Sequence, residues 1–172
     1  MENKSANDMK ETMLDWLKDA HAMEQQSLKM FDDLSERLST SYPELKAHVD
    51  QHRKNTQDQQ SLLEQCLERH GGKPSILKDI AAKITAFSQS ISGMPLDDEV
   101  VKASLSAYTF LHMKIASYSI LGTAARALDD GATLDVCNKI MSQEGDMAGW
   151  LGERIPDITR KFIAYSADDN VS

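Results

Sequence analysis

Two glutamates, a lysine and a histidine occupy positions that a helical protein usually keeps dry. Stepping by four and three from Met13 gives Leu17, Ala20, Glu24, Ser27, Phe31, Leu34 and Leu38, an apolar stripe with a carboxylate near its middle. At 1.5 Å per residue this run spans about 38 Å, and Glu24 lies within roughly two residues of its centre. The same spacing centres Glu144 among Leu134, Cys137, Met141, Ala148, Leu151 and Ile155. Lys114 is central to Val100, Ser104, Ala107, Leu111, Tyr118, Leu121, Ala125 and Leu128, and His52, Thr56 and Gln59 form the polar middle of a run from Leu45 to His70. An unpaired carboxylate taken out of water costs several kcal/mol, so acids converging at one height need a cation: a bound metal, the Lys114 amine, or protons.

Each residue also has a plainer reading. Either glutamate could sit at a stripe's edge in water, and Lys114 could lay its stem on apolar surface with its amine solvated. His48 and His52 have the i,i+4 spacing of a metal pair, although a hydrogen-bonded core histidine is the simpler reading of His52. His112, beside Tyr108 and Ile115, reads as structural. The nine methionines read as core filler, and Trp16 and Trp150 as packing residues at helix or subunit contacts. Cys66 and Cys137 lie singly on apolar stripes, which points to buried thiols rather than a disulfide or zinc site. No phosphate-cradling glycine loop, strand-turn-helix elbow or cysteine with a local histidine offers nucleophilic chemistry.

Long helices must position such a layer. The first is expected from about Asp8 to Leu38, ending at STSYP; the second from Glu44 to His70, with Pro43 in its first turn and Gly71-Gly72 as its stop. SILKDIAAKITAFSQSISG reads as a shorter amphipathic helix with Ile76, Ile80, Ile84 and Phe87 on one side. The third long helix is expected from Asp97 or Asp98 to about Leu128, before DDGAT, and the fourth from a Thr133 cap to Pro156. A short last helix, DITRKFIAY, follows. This makes one domain over residues 8–165 with frayed ends at 1–7 and 166–172, and two αα-hairpins joined by a long crossover give the connectivity of a ferritin-like four-helix bundle.

Composition narrows the function. The 172 residues carry 19 Lys and Arg against 27 Asp and Glu, a formal charge of −8, which argues against nucleic acid and anionic membrane surfaces as partners. MENKSANDMKET lacks the apolar core of a signal peptide and no stretch is long enough to span a membrane, so a cytoplasmic location is expected. A ferritin-type di-iron centre needs about four carboxylates and two histidines, with Glu-x-x-His on two helices. No such string occurs; Glu24, His52 and Glu144 could hold at most one iron, manganese or zinc ion.

The stretches DWLKDAHAMEQQ, YPELKAHVDQH, FSQSISG, DDEVVKASLSAYTF, KIASYSIL and ERIPDITRKF resemble the YciE branch of the YciE/YciF family of bacterial ferritin-like proteins, from about Lys10 to Phe162. The resemblance implies a ferritin-like bundle, a homodimer and a link to stress responses. Glu24, His52 and Glu144 match the family's metal positions. Relatives carry acids where Asn55, Leu111 and Lys114 stand here, and some where Ala148 stands. These departures remove negative ligands and one inserts a positive charge. The expected protein therefore has a degenerate metal site, no cofactor, and a non-catalytic role exercised through dimerisation or partner binding. The alternatives are a metal-binding or redox protein holding one ion through Glu24, His52 and Glu144, and an acidic inhibitor or immunity-type protein.

Overall fold

A computed structural model describes residues 6–38, 41–72 and 99–169. They form α1 (Ala6–Arg37), α2 (Pro43–Arg69), α3 (Glu99–Ala127) and α4 (Gly131–Asp169), and no strand occurs among them. The amphipathic segment with Ile76, Ile80, Ile84 and Phe87, and the acids Asp97 and Asp98, lie outside the described residues. α1 packs on α2 and α3, and α4 on α3 and α2, as in a four-helix bundle.

The seams explain the packing. All eight positions of the α1 stripe are buried, and on α2 the buried set is Leu45, Val49, His52, Thr56, Gln59, Leu63, Cys66 and Leu67. His21, Ala22 and Met23 are buried as well, which follows from α1 having neighbours on two sides.

Helix ends follow local chemistry. Pro43 sits in the first turn of α2, where its missing N–H breaks no helical bond. Past the end of α2, Gly71 takes φ +81° and Gly72 N–H donates to Leu67 O at 2.8 Å, closing the last turn. Between α3 and α4, Asp129 adopts φ +55°, a left-handed conformation that aspartate tolerates better than most side chains.

Three expectations are corrected. The cap of α4 is Asp130, whose Oδ1 accepts from Thr133 N–H at 3.0 Å; Thr133 lies three residues inside and is buried. The short final helix is not separate, because α4 runs through Pro156 to Asp169. Proline forfeits a single backbone bond there, and Ile158 beyond it is buried in the core, so packing carries the helix onward. Helix thus includes residues 6–7 and 166–169, which had been expected to fray.

The core has two apolar clusters. One gathers Met13, Leu17, Leu63, Cys66, Tyr118, Leu121, Cys137 and Ile140; the other Phe31, Leu34, Leu45, Val49, Leu111, Met147, Leu151 and Ile158. On every helix the sequence between them is polar: Glu24 and Ser27, His52 to Gln59, Lys114, and Glu144.

Candidate functional site

Each helix contributes to this middle layer from the centre of its seam, so the layer's height is set by the lengths of the helices and not by any loop. Lys114 is its hub. Its Nζ lies 2.8 Å from Glu24 Oε2 and 2.9 Å from Glu144 Oε1, and all three side chains are 0% exposed. The same amine donates to Gln59 Oε1 at 3.1 Å and to Ser27 Oγ at 3.4 Å. Gln59 Nε2 donates to Glu144 Oε1 and to Gln143 Oε1, both at 2.9 Å. Tyr118 OH donates to Glu24 Oε1 at 2.5 Å.

His52 stands at the margin. Its ring meets Phe31 edge-on at 4.6 Å, and Nε2 is 3.5 Å from Glu144 Oε2, an ionic contact too long for a good hydrogen bond. Neither ring nitrogen makes a hydrogen bond. His48 does not join it in an i,i+4 pair, because its ring stacks on Trp150 at 3.7 Å. His112 rests against Tyr108 at 4.5 Å.

The two acids differ in environment. Burial raises the pKa of Glu24; Lys114 pulls it down, Glu144 pushes it up, and the net shift is upward. Burial also acts against ionised Glu144, but Lys114 and the His52 contact outweigh it and hold the carboxyl at about 2. Burial and the neighbouring Glu24 carboxyl keep the Tyr118 phenol well above its ordinary range. Glu144 is therefore the ionised partner of the Lys114 ammonium, and Glu24 takes up the first proton as pH falls.

This donor set does not fit a di-iron centre. An ammonium has no lone pair to ligate with and repels a divalent ion from the space between the carboxylates. The other family positions add nothing: Leu111 is buried in the second apolar cluster, Ala148 is buried beside it, and Asn55 accepts from Gln51 at 3.2 Å on a half-buried face. No three His, Cys, Asp or Glu side chains among the described residues are grouped to hold a metal.

Residues 8–164 match the sequence profile of a family described as a domain of unknown function, DUF892. The chain belongs to this family. A crystal structure of a protein from Xanthomonas campestris pv. campestris is similar at 32% identity and TM-score 0.77, covering 92% of this chain and 98% of that one. The stress protein YciF of E. coli shares the fold at 17% identity and TM-score 0.68, covering 94% and 99%. Dps from Thermosynechococcus elongatus shares it at 14% identity and TM-score 0.73, covering 87% and 93%. This DUF892 chain is thus an all-α bundle with the ferritin-like fold. None of its described helices is long and apolar enough to cross a membrane.

The network reaches further than the sequence reading did. Gln59, Ser27 and Tyr118 were visible on their seams, but nothing marked Gln59 as the amide linking Lys114 to Glu144 or Tyr118 as the donor to Glu24. The available signal was helical adjacency: Tyr118 lies four residues after Lys114, and Ser27 three after Glu24.

Proposed function

We propose that this DUF892 chain is a YciE-branch protein in which an internal ion-pair cluster stands where relatives hold a di-metal centre. It is a non-catalytic, stress-associated cytoplasmic protein without a cofactor, acting through homodimerisation or partner binding. The observation that carries this reading is the Lys114 amine within 3 Å of both Glu24 and Glu144 at zero exposure. Lys114 and the two ionised acids sum to −1, which a tyrosine donor and an amide can moderate; two divalent ions need about four anions. The partner surface assigned to a second copy is a groove of about 360 Å³ between α1 and α3, flanked by the exposed Trp16 and Ile120.

One observation favours a second reading, a protein holding a single ion through Glu24, His52 and Glu144 once Lys114 withdraws from between the acids, since as they stand the three are not grouped to hold a metal. Both His52 nitrogens and Glu144 Oε2 lack hydrogen-bond partners, which is how unfilled ligands would look. Metal analysis of protein purified without added metal separates the two. The ion-pair reading expects no stoichiometric iron, manganese or zinc in the natural chain, and metal uptake or clear destabilisation in Lys114→Glu. A stoichiometric ion that vanishes in Glu24→Ala would establish the second reading instead.

A further inference from the structure

The contacts of Lys114 set out more than an ion pair. Gln59 presents its amide oxygen to Nζ at 3.1 Å. With a C=O bond of about 1.23 Å, the amide carbon is then at most about 4.3 Å from the amine, a short closure from the 3–3.5 Å of reacting atoms. Glu144 Oε1 touches both nitrogens that an exchange would involve: Nζ, the incoming amine, and Gln59 Nε2, the outgoing one, each at 2.9 Å. One carboxylate oxygen can therefore take a proton from the amine and supply a proton to the leaving group. The three side chains are buried, so bulk water does not compete as a nucleophile.

On this geometry we propose that Lys114 and Gln59 become joined by an intramolecular isopeptide bond. The proposal rests on the reading that Lys114 occupies the middle layer as a paired amine. Glu24, whose Oε2 lies 2.8 Å from Nζ, accepts a proton from the Lys114 ammonium, and the freed Nζ attacks Gln59 Cδ. As the tetrahedral adduct collapses, the Nζ–Cδ bond stays, the Cδ–Nε2 bond breaks, and the second proton from Nζ reaches Nε2 through Glu144. Ammonia leaves, with half-buried Gln143 on the departing side, Glu144 returns to its carboxylate form, and Glu24 ends as a neutral acid beside the new amide. Nothing is oxidised or reduced, and no outside reagent is needed. The reaction removes a buried ammonium and a buried carboxylate together, replacing charges that are poorly solvated in the core with a neutral amide and acid. Fixed juxtaposition is worth effective molarities of about 10⁵–10⁸ M, and a positioned proton shuttle about 10²–10⁴-fold more.

Intact-mass spectrometry of the purified, denatured full chain tests it. The expected mass is lower than the sequence mass by one ammonia, about 17 Da, with a branched proteolytic peptide joining Gln59 to Lys114. Lys114→Arg and the near-isosteric Glu144→Gln should both return the full sequence mass, the second because the amine stays but the shuttle is gone. If Lys114→Arg does not fold, the natural chain and Glu144→Gln decide alone. An unshifted mass in the natural chain overturns the bond, and so does a loss of one water, about 18 Da, which would place the linkage on a glutamate. Metal content measured on the same sample keeps the outcomes apart: an unshifted mass without metal leaves the paired-amine reading standing, whereas bound metal removes both.

Discussion

At the scale of single residues, the outcome turns on which groups share the Lys114 amine. Lys114→Met should destabilise the protein by about 3–5 kcal/mol at pH 7, because it strands two carboxylates in the core. The sign of the pH dependence follows from the two acids. In the natural chain Glu144 is depressed, so its contribution is present above the ordinary value of 4.5 and is lost only as pH falls through about 2. Glu24 is raised and works in the opposite sense, losing stability as pH rises through its elevated value. Without the amine both acids lose their main counter-charge while the penalty of burial remains, so the deficit of Lys114→Met should shrink as pH falls from 7 toward 5. Urea unfolding at the two pH values checks this; a deficit below about 1 kcal/mol, or one that grows on acidification, would show that the layer is not paired as described.

Individual elements are held at their ends as well as along their seams. Asp130 has two attachments: Oδ1 caps α4 through Thr133 N–H at 3.0 Å, and Oδ2 meets His70 Nε2 at 2.7 Å, tying the end of α2 to the turn between α3 and α4. Burial alone would raise the Asp130 carboxyl; the Thr133 bonds and His70 hold it below the usual range. Asp130→Ala should cost about 1–2 kcal/mol, more than His70→Ala, because it removes both the cap and the pair. Thermal melts of the two variants settle the order, and equal losses would deny the cap a separate role. This end also shows what the sequence conceals. Asp130 and Thr133 are both capping residue types, three apart, and hydrophobic period does not choose between them. Pro156 was read as a stop because its lost bond is visible in sequence, while the burial of Ile158 that outweighs the loss depends on tertiary packing.

For the molecule as a whole, the apolar period was the most legible signal: the α1 stripe from Met13 to Leu38 is buried at every position, since one face of a long helix has little freedom to turn away from the core. The middle layer was legible in its members and not in its bonds. Successive residues differ by 100° around a helix, so a four-three count puts Glu24, Lys114 and Glu144 on core faces and their central positions put them at one height, but neither says that Gln59 bridges two of them or that His52 stays 3.5 Å away. Association belongs to this scale too. The groove between α1 and α3 exposes 37% of Trp16 and 58% of Ile120. Light scattering should find a dimer for the natural chain at micromolar concentration and a folded monomer for Trp16→Asp combined with Ile120→Asp. A natural chain that runs as a monomer would refute the dimer, and a doubly substituted one that remains a dimer would move the interface elsewhere.

α4 counts 39 residues, about 58 Å of continuous rod at 1.5 Å per residue. Ile163 and Tyr165 are largely exposed along its last turns, where Tyr165 also meets Tyr42 at the start of α2. A fluorescent protein fused directly after Asp169 with no flexible spacer would therefore turn with the bundle as one body, and its polarisation decay would report tumbling of the whole assembly.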